Sequence, residues 1–224
     1  MNLKIQLTRA FLISLVSLTA FALMAALVSA DRIVNFDSVV IGTVQGWEVP
    51  WLTSVMEFFT WIGSTKVVVV LSLLVIFFLF TVLHHRSELI LFIVVVAGTP
   101  ILNHYLKAFF HRARPDFHRL IEIGGYSFPS GHAMNAFTVY SVVAFLLWRH
   151  IPTRFGRSML ILFSSFMIVM IGVSRIYLGV HYPSDIIGGY FASGFWLTVA
   201  IWFFQWYKER QPQLKAGELQ RNEG

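Results

Sequence analysis

Long apolar stretches constrain this chain more than any other feature. Six of them, at about 10–30, 65–83, 89–106, 131–148, 155–173 and 183–206, alternate with polar segments. A helix needs about 20 predominantly apolar residues to cross the hydrocarbon core of a bilayer. Inside that core the backbone must satisfy its own hydrogen bonds, as a helix does. Composition agrees, because only 12% of the residues are charged, against about 25% in a soluble domain. The expected fold is an all-α integral membrane protein, one domain of six transmembrane helices. The chain has no cysteine, which excludes a disulfide framework and a thiolate zinc site. The net charge of +6 is divided among separate loops, so a nucleic-acid partner is not expected.

Taken in order, the first stretch ends in Val28-Ser29-Ala30, which resembles a signal-peptidase site. It is longer than the usual 7–15-residue signal core and is read as a retained span. Residues 31–64 mix Asp31, Asp37, Glu48 and Glu57 with Trp47, Trp51 and Trp61. Tryptophan favours the membrane–water boundary, so short interfacial helices are expected there. Gly98 and Pro100 are expected to kink the third span. The polar tail at 207–224 has no apolar periodicity and is expected to be disordered. Six spans place both termini on one side. Of the 17 lysines and arginines, ten fall on that side and seven on the other, four of the seven in the loop 107–129. The positive-inside rule then makes both termini cytoplasmic. The loops at 31–64, 107–129 and 174–182 share the extracytoplasmic face, and their small size points to a bacterial plasma membrane.

Three polar clusters fall on that face. Ser174–Asp185 carries Arg175, His181 and Asp185 between two apolar stretches. Pro183 suits the first position of a helix, which places Asp185 in the first turn, able to accept a hydrogen bond from one ring nitrogen of His181. The stretch reads equally as a plain polar cap on a membrane helix. Lys107–Pro115 holds Lys107 and Arg114 seven residues apart, on one face if the third span runs through both. Two cations there suit an anion with several oxygens, or snorkel to lipid headgroups. Phe128–His132 places Ser130 as the cap of the fourth span. A helix N-terminus favours phosphate, and Gly131 allows close approach of the ligand; an ordinary helix start explains all of this except His132. The combined inventory suits phosphoryl transfer, with an imidazole as nucleophile, cations spreading the charge and a second imidazolium as acid.

Together the clusters resemble the type-2 phosphatidic acid phosphatases, whose signature has the three parts K-x6-R-P, P-S-G-H and S-R-x5-H-x3-D. Here they read Lys107…Arg114-Pro115, Pro129-Ser130-Gly131-His132 and Ser174-Arg175…His181…Asp185, complete and in order. The motifs cover residues 107–185. The resemblance implies a membrane lipid phosphatase in which His181 is the nucleophile, Asp185 orients it and His132 is the general acid. It implies Lys107, Arg114, Ser130, Gly131 and Arg175 as phosphate ligands, with no metal and no cofactor. The residues agree about metal. There is no H-E-x-x-H helix, and the arginines of that face would repel a cation from His111, His118, His132, His181, Asp116 and Glu122. His104, His111 and His118 are expected to be bystanders, while Asn103, Tyr177 and Tyr182 are candidates for shaping the pocket. The partners are the bilayer and a lipid phosphate, with phosphatidylglycerophosphate, undecaprenyl pyrophosphate and phosphatidic acid all open. Oligomeric state is open as well. A membrane anion or lipid transporter without hydrolysis is the alternative, although spans two, four and five offer almost no polar residue at mid-membrane.

Overall fold

A computed structural model describes residues 3–81 and 86–222, with side chains over 7–81 and 88–208. The described residues fold into helices α1 (Leu3–Ser29), α2 (Val34–Gln45), α3 (Pro50–Ile62), α4 (Thr65–Thr81), α5 (Arg86–Phe110), α6 (Gly131–Leu147), α7 (Arg154–Tyr177) and α8 (Pro183–Asn222). Four of them, α1, α5, α7 and α8, contain segments long and apolar enough to cross a membrane. The pair α3–α4, bent by 54°, supplies a fifth candidate, and α6 is an apolar helix of 17 residues. The structure thus confirms a helical membrane protein. By length and composition it offers four or five spans where the sequence predicts six.

α6 is the innermost helix, packed against α5, α7 and α8. Its residues Met134, Ala136, Val139 and Val142 are buried, so it is apolar all round because protein surrounds it. The outer helices turn side chains such as Val16, Phe77 and Phe163 outward, as a hydrocarbon solvent permits. Some of the polar groups that enter the bundle are paired across helices. Thr99 and Thr138 join α5 to α6 at 3.0 Å, and Trp196 Nε1 donates to the Val95 carbonyl at 3.0 Å.

α5 stays helical through Gly98 and Pro100. It departs from expectation where it stops, at Phe110, with His111 at a left-handed φ of 50°. Arg114 therefore lies in the loop 111–130 and shares no helix face with Lys107. The tail also differs, since the backbone continues helical to Asn222 rather than losing order after residue 206. The interval 31–64 contains two helices, α2 and α3, and both pack against α7.

The ends of α2, α5, α6, α7 and α8 meet at one end of the bundle. Gln45 Nε2 donates to the His118 carbonyl at 2.8 Å, and Leu120 N–H to the Leu178 carbonyl at 3.1 Å. These bonds press the loop 111–130 onto the turn 178–182. Gly179 makes that contact possible. Its φ is +73°, and a Cβ would collide with the His118 carbonyl oxygen, which is backbone and cannot swing aside. Gly179→Ala should therefore destabilise the protein by about 1–3 kcal/mol, read as a lower thermal midpoint in detergent.

Candidate active site

The site begins with the entry into α8. Pro183 opens the helix and Asp185 sits in its first turn, one turn beyond His181. Asp185 is fully buried and His181 is 1% exposed. A buried carboxylate must be paired to be tolerated, and this one has four donors. Arg112 Nη1 reaches Oδ1 at 2.7 Å. Tyr182 N–H donates to Oδ2 at 2.9 Å, His181 Nδ1 stands 3.2 Å from Oδ2, and the Ser127 hydroxyl also donates to Oδ2.

The partner on the other ring nitrogen fixes the tautomer. Arg114 Nη1 lies 3.1 Å from His181 Nε2, and a guanidinium has donors only. Nε2 is therefore the accepting nitrogen and Nδ1 carries the proton toward Asp185. Arg114 covers Nε2. That arginine is held by carbonyls, from Nη1 to Val180 at 2.7 Å and from Nε to Gly125 at 3.0 Å. Burial, joined by the charges of Arg175 and Arg114, pushes the His181 imidazole down to about 3 against the pull of Asp185. The ring is neutral at any ordinary pH, with a lone pair on Nε2.

Around this pair stand the other predicted residues. Arg175 is 1% exposed; its Nη1 donates to the Thr60 hydroxyl of α3, while its buried Nε has no partner among the described residues. Lys107, at the end of α5, is near enough to feel the charges of Arg114, Asp185 and Arg175. His132 is near enough to feel His181, Arg175, Lys107 and Arg114. Ser130 caps α6 as predicted, its Oγ accepting from Ala133 N–H at 3.4 Å, and its own N–H donates to the Asp185 carbonyl at 3.1 Å. Gly131 follows with a first-turn N–H that has no intrahelical acceptor. A Cβ there would meet Asn103 Oδ1 at 3.0 Å, and Asn103 Nδ2 donates to the Pro129 carbonyl at 2.9 Å. All eight predicted residues thus gather at one end of the bundle.

Asn103 shapes this helix start, and Tyr182 lies beneath the Arg112 guanidinium, 4.0 Å from ring centre to charge. Tyr177 instead bonds Thr53 at 2.8 Å, away from the imidazole. His118 pairs with Glu48 at 2.7 Å on the surface, and His111 stands edge-on to Tyr126. Among the described residues, no three His, Asp or Glu side chains are grouped to hold a metal ion.

Sequence reasoning overlooks a second tier. Asp37 of α2, 1% exposed, bonds Arg112 Nη2 at 2.8 Å, Ser184 N–H at 2.9 Å and Ser184 Oγ at 2.7 Å. Arg112 thereby bridges Asp37 and Asp185, a buried anion on each side. Arg112 reads in the sequence as one more cation in a basic loop, and Asp37 as one acid of an interfacial segment. Only the fold joins residues 75 positions apart.

Residues 88–209 match the PAP2 superfamily. The chain is 34% identical over 172 residues to phosphatidylglycerophosphatase B of Bacillus subtilis (strain 168), covering 76% of this chain and 84% of that one. Among solved structures it resembles the transmembrane PAP2-type phosphatidylglycerolphosphate phosphatase from Bacillus subtilis. The TM-score is 0.78 at 29% identity, over 88% of this chain and 96% of the other. It also resembles Aquifex aeolicus LpxE, with a TM-score of 0.58 at 26% identity over 72% and 92% of the two chains. The chain belongs to the PAP2 superfamily.

The lowered His181 value has a consequence for stability. The ordinary histidine value near 6.5 applies to the unfolded chain, so as pH falls below it the unfolded state gains a proton that the folded state refuses until about 3. Stability contributed by the neutral ring is complete above 6.5 and lost toward 3, by up to about 1.4 kcal/mol per pH unit. Thermal unfolding between pH 7 and pH 4 should show this acid slope in the native protein and a smaller one in His181→Asn.

Proposed function

We propose that the protein is a membrane lipid phosphatase working through a phosphohistidine on His181, without a metal. The observation that carries this reading is the neutral imidazole itself, held at Nδ1 by a buried carboxylate, with its Nε2 lone pair among three cations and a helix N-terminus. Phosphate esters hydrolyse extremely slowly unaided, so positioning and charge must supply most of the rate.

In this account the substrate phosphate takes Arg114 away from Nε2 and binds Arg114, Arg175, Lys107, the Ser130 hydroxyl and the Gly131 N–H. The partnerless Nε of Arg175 gives one oxygen a donor. Nε2 attacks phosphorus, a P–N bond forms, and the P–O bond to the lipid breaks. His132 gives its proton to the leaving oxygen. Water then attacks the phosphohistidine while His132 takes a proton from it, the P–N bond breaks, and inorganic phosphate leaves. Asp185 keeps the Nδ1 proton in place, and Asp37 and Arg112 keep Asp185 in place.

The substrate class is a lipid phosphate monoester or pyrophosphate. Phosphatidylglycerophosphate is favoured by the likeness to the Bacillus subtilis enzyme named for it, with undecaprenyl pyrophosphate as the second choice. The topology adopted is six spans, α1, α4, α5, α6, α7 and α8, with α2 and α3 interfacial. Both termini are cytoplasmic, and the site lies on the extracytoplasmic face of a bacterial plasma membrane. The modest lysine and arginine bias supports that orientation.

His181→Ala should abolish phosphate release from phosphatidylglycerophosphate in detergent while leaving a folded protein; wild-type turnover in that variant would sink the assignment. EDTA should leave the rate unchanged and vanadate should inhibit. Asp185→Asn should slow turnover on the order of 10³-fold by releasing the tautomer. Arg112→Ala should lower kcat about a hundredfold with KM little changed. The acid limb of kcat/KM against pH should lie well below the ordinary histidine value, because His181 stays neutral. An acid limb set by a free nucleophilic histidine near 6.5 would contradict the burial of His181.

A further inference from the structure

A cavity of about 870 Å³ lies at the end of the bundle opposite His181, between α1, α6, α7 and α8. Arg9 and Arg149 line it together with Ser141, Ser164, Ser165 and Gln205, while isoleucines of α1 and α7 and Phe145 form an apolar wall. Several hydroxyls in the membrane helices return to their own backbone. Ser72 bonds the Val68 carbonyl at 2.7 Å, Thr99 that of Val95 at 2.8 Å and Thr198 that of Gly194 at 2.7 Å. The hydroxyls of Ser141, Ser164 and Ser165 make no hydrogen bond to any described residue. Gln205 Oε1 is enclosed and also has no partner among the described residues. A buried acceptor is costly to leave unsatisfied, so this oxygen calls for a donor.

The charge at this end is positive. Glu88 is buried and shared by Arg149 at 3.0 Å and Lys208 at 2.9 Å. Arg157, stacked on Trp148 at 5.1 Å, extends the basic rim with Arg154 around an adjoining cavity. Snorkelling arginines alone would need neither the free hydroxyls nor the enclosed acceptor behind them.

We propose that this cavity binds an anionic phospholipid with a hydroxyl-bearing headgroup, taken from the leaflet opposite the active site. The phosphodiester meets Arg9 and Arg149, a headgroup hydroxyl donates to Gln205 Oε1, the serines complete the polar contacts, and an acyl chain follows the apolar wall. A choline headgroup has no donor for Gln205 and brings a cation to the arginines. The site is independent of the reaction assigned to His181.

The test uses the full chain in detergent with phosphatidylglycerol or phosphatidylcholine, counting retained lipid by native mass spectrometry and following thermal unfolding. Phosphatidylglycerol should be retained at one copy and raise the thermal midpoint, and phosphatidylcholine should do neither. Gln205→Leu and Ser141→Leu should each weaken phosphatidylglycerol binding about tenfold and leave turnover at the distant site unchanged. Ser165→Leu, at a position exposed in the fold, replaces either variant if it does not fold. Equal retention of the two lipids, or undiminished phosphatidylglycerol binding by the folded leucine variants, overturns the proposal.

Discussion

Four donors close on the Asp185 carboxylate, Arg112 and Ser127 from one loop and His181 and Tyr182 from the turn before α8. A buried charge is tolerable only while it is so enclosed, and removing one partner of a buried ion pair costs about 3–5 kcal/mol. The carboxylate therefore ties the loop, the turn and the helix start into one unit. Asp37 extends that unit to α2 by holding the far side of Arg112 and the Ser184 N–H. The orientation of the imidazole depends on this chain of contacts, because the ring has no freedom left between Asp185 and Arg114.

The membrane architecture makes such a polar cluster possible. α6 runs from the site toward the opposite end as a largely buried apolar helix, so charge gathers at the helix ends, where loops supply partners. At the site end the partners are carboxylates and carbonyls for some cations, and they are incomplete for Arg175. That unequal pairing separates structural cations from cations available to an anion. Arg112 is saturated between two carboxylates, whereas Arg175 has one hydroxyl. The same logic distinguishes the two ends of the bundle. At the far end Glu88 pairs with Arg149 and Lys208 beside a roomy, hydroxyl-lined cavity.

Much of this was legible in the residues. Apolar length announces membrane helices because the bilayer imposes it, and the predicted stretch at 131–148 coincides with α6 to within a residue. The Ser130 cap and the Pro183 start follow from local backbone chemistry and appear where expected. The His181–Asp185 pair is legible because its spacing of four is short-range. Lys107 and Arg114 defeat the same reasoning, since the left-handed turn at His111 ends the helix between them. The Asp37–Arg112–Asp185 bridge leaves no local trace, because the pairing exists only after α2 packs on α8. The helical continuation to Asn222 is likewise invisible to apolar periodicity, which reports burial rather than backbone conformation.

The central claim is that His181 Nε2 takes the phosphoryl group. Its most direct test is mass spectrometry of peptides from protein quenched in alkali during turnover of phosphatidylglycerophosphate, since phosphohistidine survives base and is lost in acid. The account predicts an acid-labile phosphoryl group on His181 and none on His132. A phosphoryl group on any other residue, or none while turnover proceeds with phosphohistidine shown to survive the quench, would contradict it.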